Sequence, residues 1–98
     1  MWRQGDIMVQ ITEEIPEAAK RLKHQVIESS QTTGHQHKIK EKRSCRLYVL
    51  ANENYLEVTA EQASLVHPEH GTIELQKGIY RVWRQREFTD RGWTTMVD

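Results

Sequence analysis

The chain has 98 residues, with 14 basic and 14 acidic side chains and a formal net charge of zero. That length supports one domain, residues 1–98, and leaves too little chain for two separate cores. Overall neutrality exerts no pull toward nucleic acid or an anionic membrane, so any such affinity must come from local clustering.

The opening residues Met1-Trp2-Arg3-Gln4-Gly5-Asp6 lack the apolar stretch of a signal peptide, and the longest apolar run, residues 47–51, is too short to span a bilayer. The expectation is a soluble, cytoplasmic protein with no membrane partner. A lone Cys45 excludes an internal disulfide and fits a reducing compartment, and no Cys-x-x-Cys motif supports a zinc ribbon or a thioredoxin-like site. Cys45 reads as a small core residue.

The first strand is predicted at residues 7–11, where Ile7, Val9 and Ile11 share one face at the period of two. Residues 13–23 turn to Glu, Ala, Lys and Leu with Pro16 near the start, which predicts one or two helical turns. Short β-branched or aromatic runs follow at 26–30, 35–39, 45–50, 55–58, 63–67, 72–75, 79–88 and 93–97. Turn-like groups separate them, among them Thr33-Gly34, Asn52-Glu53-Asn54, His70-Gly71, Lys77-Gly78 and Asp90-Arg91-Gly92. The expected fold is all-β, a small antiparallel β-barrel or sandwich with one short helical segment.

Four of the five histidines fall into two pairs, His35-Gln36-His37 and His67-Pro68-Glu69-His70. Strand alternation puts His35, His37 and Ile39 on one face, so two imidazole nitrogens converge there, and His67 or His70 stands as the third ligand. His67 is expected to end a strand, because Pro68 interrupts ladder hydrogen bonding, and His70 to lie in the turn before Gly71. All four are candidate metal ligands and candidate catalytic residues. Zinc is preferred over iron because no carboxylate is evident to complete a facial triad. Three histidine ligands would leave a position for an activated water, which implies a metal-dependent hydrolase or hydratase.

The strand at 79–88 places Tyr80, Val82, Arg84, Arg86 and Phe88 on one face, so Arg84 and Arg86 are candidates for binding phosphate or carboxylate. Lys38, Lys40, Lys42, Arg43 and Arg46 surround the first histidine pair. Basic residues beside paired histidines also suit a metal-free ribonuclease or phosphodiesterase, with imidazoles as acid and base and Lys38, Arg84 or Arg86 on the phosphate. A non-catalytic binding module with structural histidines is the third reading. The partners implied are a small molecule or RNA, and short strands with open edges suit a homo-oligomer. Trp2, Trp83 and Trp93 are dispersed and suit a small core, and no Walker loop, dinucleotide fingerprint, nucleophile elbow or zincin helix is present.

Arg3-Gln4-Gly5-Asp6, Thr33-Gly34-His35-Gln36-His37, His67-Pro68-Glu69-His70, Gly78-Ile79-Tyr80-Arg81-Val82 and Arg84-Gln85-Arg86-Glu87-Phe88 together resemble a small bacterial and phage-associated family of uncharacterised proteins. That resemblance implies which motifs belong to one set and no activity. His35, His37 and Glu41 are also similar to the first metal motif of cupins. The match departs at Gly34, adjacent to the first histidine, at Tyr48, where a glycine is expected, and in lacking the second motif. It implies a cupin-like fold and does not add Glu41 to the ligand set.

Overall fold

Two long strands, β7 (Glu53–His67) and β8 (His70–Arg84), form the spine of the protein in a computed structural model. The structure describes residues 1–29, 35–84, 86–89 and 92–95, with side chains described for residues 1–27 and 35–84. The other strands are β1 (Trp2–Gln4), β2 (Ile7–Thr12), β3 (Lys20–Leu22), β4 (Val26–Ser29), β5 (Gln36–Ile39), β6 (Cys45–Leu50), β9 (Arg86–Thr89) and β10 (Gly92–Thr95). Every pairing is antiparallel, and the main sheet runs β1-β2-β8-β7-β5-β4, with β6 also against β7 and β3 beyond it. This sheet curls into a half-barrel. β9 and β10 pair as a hairpin.

β7 serves two neighbours on one edge. Its first half pairs with β6 and its second half, at Leu65 and Val66, with β5. Between them the register with β8 shifts at residues 58–62, as at a β-bulge, which bends the strand and increases its twist. The Ser44 carbonyl closes the break, accepting from the Thr59 and Ala60 N–H groups at 2.9 and 3.2 Å.

Alternation along β2, β7 and β8 fills the concave side. Ile7, Val9, Leu56, Leu65, Leu75 and Val82 are each at most 1 % exposed, joined by Leu47 of β6 and Ile39 of β5. Each such side chain contributes roughly 1.5–3 kcal/mol by burial. Trp2 packs edge-on against Tyr80 at 5.8 Å between ring centroids. Cys45 is buried in this core. Ile11, expected on the buried face of β2, is 66 % exposed.

The all-β reading stands, and the short helical segment does not. Residues 13–19 hold a single turn, with the Ala19 N–H donating to the Pro16 carbonyl at 3.0 Å, and Lys20–Leu22 pairs with β6 as β3. One hydrogen-bonded turn does not carry the nucleation cost of a helix, whereas β6 offers a ready edge. The runs at 55–58 and 63–67 are one strand. Those at 72–75 and 79–84 are also one, because Gly78, at φ 155°, keeps its pairing to Val58. Thr33-Gly34, Gln85, Asp90-Arg91 and residues 96–97 lie outside the described residues. Among the described residues no helix is long and apolar enough to cross a membrane.

Candidate functional site

Two tight hairpins and one strand bring the site together. Pro68-Glu69 joins β7 to β8 so closely that His67 and His70 are cross-strand partners. His70 is therefore the first residue of β8 and not part of a turn: two residues suffice for the reversal, and Pro68 presets its first corner. β5 lies on the other side of β7, with Lys38 opposite Val66, and His35 immediately precedes it. All four paired histidines meet. Ring centroids are 5.5 Å apart for His35 and His67, 4.3 Å for His37 and His67, 4.5 Å for His67 and His70, and 6.2 Å for His37 and His70.

The third contribution comes from the β1–β2 hairpin. Gly5, at φ 59°, occupies the first position of the two-residue loop Gly5-Asp6, the placement that suits a type II′ turn. That turn directs Gln4 and Asp6, each 2 % exposed, into the histidine cluster. Asp6 Oδ1 lies 3.5 Å from His37 Nε2, and Asp6 Oδ2 lies 3.0 Å from Arg84 Nε at the end of β8. The register between β2 and β8, which pairs Ile7 with Arg84, sets this contact.

Hydrogen bonds assign the imidazole tautomers. Gln4 Nε2 donates to the Leu65 and Gly71 carbonyls, both at 2.8 Å, which fixes the amide and leaves Oε1 toward His37 Nδ1 at 2.9 Å. An amide oxygen only accepts, so His37 carries a proton on Nδ1. In the neutral ring, Nε2 is then the lone-pair nitrogen, facing Asp6. His67 is the reverse: its Nδ1 accepts from the Glu69 N–H at 3.0 Å, which puts the proton of the neutral ring on Nε2. Glu69 Oε1 lies 3.5 Å from His35 Nδ1, where a carboxylate favours the proton on that nitrogen.

Beside the cluster lies a cavity of about 440 Å³, lined by His35, His67 and Lys38 among others. Of the sequence candidates, His35, His37, His67 and His70 thus form one cluster, Asp6 joins His37 to Arg84, and Lys38 stands at the cavity. Arg86 lies in β9, and its side chain is outside the described residues. Glu41 of the cupin-like motif turns elsewhere, its carboxylate accepting from the Ser64 N–H and hydroxyl at 2.7 Å each. Among the described residues no three His, Cys, Asp or Glu side chains are already drawn together as a metal cage.

The sequence matches the family described as Domain of unknown function (DUF8820) over residues 3–85. The chain belongs to this family. No curated protein and no solved structure matches it. The family span takes in Gln4, Asp6, the four paired histidines and Arg84, and stops short of Arg86.

Gln4 and Asp6 were not among the sequence candidates. Their signal lay in Arg3-Gln4-Gly5-Asp6, where an acid and an amide flank a turn glycine directly before a buried strand. Such side chains reverse back over the strand they precede.

Proposed function

We propose that the histidine cluster binds a divalent transition metal and that the resulting centre serves a hydrolytic or hydration reaction. The observation that carries this is His37, held by Gln4 with its proton on Nδ1 and its Nε2 directed at Asp6 Oδ1, 3.5 Å away. In the neutral ring two electron-rich atoms face one another in a buried site, which suits a cation between them: a second proton on His37, or a metal ion that displaces it. His35, with Nδ1 toward Glu69, has Nε2 as its ligating nitrogen, and His70 is the fourth candidate.

His67 has a different part. With its Nδ1 accepting from Glu69, its Nε2 supplies an N–H, so ligation through Nε2 would cost that hydrogen bond. Closing the other donors around an ion takes side-chain rotation, since they are not yet a cage. Asp6 also removes the ground for preferring zinc, because two histidines and one carboxylate suit Zn²⁺ and Fe²⁺ alike. Held by His37, Asp6 and His35, such an ion would supply Lewis-acid chemistry that activates a water near neutral pH. Arg84, ion-paired to Asp6 at 3.0 Å, holds that carboxylate in place at His37.

Protein purified without a histidine tag should hold one equivalent of metal, or gain thermal stability from added zinc, iron(II), nickel or manganese. Asp6→Asn and His37→Gln should lose that response while keeping the β-type circular dichroism of the parent. No bound metal, together with no thermal shift from any of the four ions, would overturn the proposal.

A second reading is supported by the cavity where Lys38 stands beside His35 and His67. With Glu69 orienting His35, that arrangement suits acid-base cleavage of a phosphodiester without metal. It requires RNA cleavage in the presence of chelator that is lost in His35→Ala. Cleavage unaffected by that change would eliminate it.

A further inference from the structure

The residues leading out of β5 and into β6 form one wall of a second depression, a groove of about 910 Å³ whose other wall is β3 and the turn after it. Seven of the chain's 14 Lys and Arg residues line it, and among the described residues no Asp or Glu does. In a chain of zero net charge this is a strong segregation of sign. Arg21 and Lys23 come from the β3 side, Lys38 and Lys40 from β5 and its end, and Lys42 and Arg43 from the turn beyond, all with exposed side chains. Arg46 is 3.6 Å from Glu57 and is partly compensated.

Two features hold the groove basic. Gln25 ties its walls together, donating to the Ile39 and Glu41 carbonyls at 3.4 and 2.9 Å and accepting from the Arg43 N–H at 3.1 Å. Glu41, the one acid between Lys38 and Arg46, is turned onto Ser64 of β7. Hydrogen bonds from the Ser64 hydroxyl and N–H hold its carboxyl below the ordinary range, so it stays ionised, but it does not line the groove.

We infer that this groove binds the phosphate backbone of a single-stranded nucleic acid. Cations from three separate elements line one concave groove, which fits the charged backbone of a strand laid along it. A membrane surface is the poorer fit. The groove is concave, and the exposed large hydrophobic residues among those described, Met1 and Ile11, do not line it. Lys38 lines both this groove and the cavity at the histidine cluster, so a bound strand would pass the site's mouth. The inference stands without the metal proposal, because none of the six exposed cations belongs to the histidine–aspartate set.

Fluorescence anisotropy with a labelled 15-nucleotide oligouridylate tests it. Binding at 50 mM NaCl should weaken with salt, with a slope of log K on log salt of about −3 to −4 if four to six phosphates are neutralised. Lys42→Glu should weaken binding at least tenfold, while Lys77→Glu, an equal charge change on an exposed β8 residue, should leave it within twofold. No binding at 50 mM salt would overturn the inference, as would equal loss in both variants. Binding to phosphatidylserine vesicles in place of the oligonucleotide, or full displacement of the oligonucleotide by polyglutamate at matched charge, would also overturn it.

Discussion

Asp6 and His37, 31 residues apart in the chain, face each other at 3.5 Å with 2 % and 1 % of their surfaces exposed. A turn places the carboxylate and a strand places the imidazole, and each is held from behind, Asp6 by Arg84 and His37 by Gln4.

The opposed tautomers of His37 and His67 are directly observable. In ¹⁵N-labelled protein without metal, at a pH where both rings are neutral, His37 should carry its proton on Nδ1 and His67 on Nε2. Added metal should perturb the Nε2 resonance of His37. The same tautomer in both rings would remove the reason for separating their roles.

Gln4→Leu tests how the cluster is held. The substitution removes two donors to backbone carbonyls and the acceptor for His37, all in a buried setting. Groups left unsatisfied cost about 1–3 kcal/mol each, so a loss of roughly 2–5 kcal/mol is expected in urea denaturation. Gln4→Glu should cost no less, because it keeps the acceptor toward His37 but turns a carboxylate oxygen onto the Leu65 and Gly71 carbonyls in a buried site. A Gln4→Glu protein as stable as the parent would show that the two donated hydrogen bonds do not hold the cluster.

On the opposite face of β8, Arg81 donates through Nε and Nη2 to Glu53, stacks over Trp83 at 4.4 Å, and shares Glu53 with the Tyr55 hydroxyl. The Arg81 hydrogen bonds hold the Glu53 carboxyl below its ordinary range. A carboxyl depressed in the folded state contributes stability above its unfolded pKa and loses it as pH falls through the folded value. Arg81→Met should therefore destabilise by up to about 1 kcal/mol at pH 7, since the pair is a third exposed, and the difference should shrink on acidification below about pH 4. Urea midpoints of both proteins across pH 3–7 check this.

Burial pushes the Cys45 thiol up to about 11, so it is protonated and shielded at pH 8. Native protein should react with iodoacetamide at least a hundredfold more slowly than urea-unfolded protein. Comparable rates would mean that β6 opens readily at its start.

Much of the sheet was legible because alternation is a local property. Val9 on β2, Tyr80 and Val82 on β8, and His37 with Ile39 on β5 occupy the faces that a period of two assigns them. Strand ends were less legible. Gly78 reads as a turn, yet it sits within a strand whose partner β7 holds it, and Pro68-Glu69 needs no further residue to reverse the chain. Residues 13–23 have helical composition, but tertiary pairing with β6 outweighs a local preference this weak.

The sequence by itself determined an all-β chain with two histidine pairs and a basic hairpin. It could not show that Gln4, Asp6 and Arg84 join them. That depends on β2 pairing with β8 and β5 with β7, long-range registers set by the shared core and not by neighbouring residues. Hydrogen bonds between those distant segments also decide which nitrogen of each imidazole bears a proton. The tertiary structure thus separates histidines that are chemically alike in the sequence.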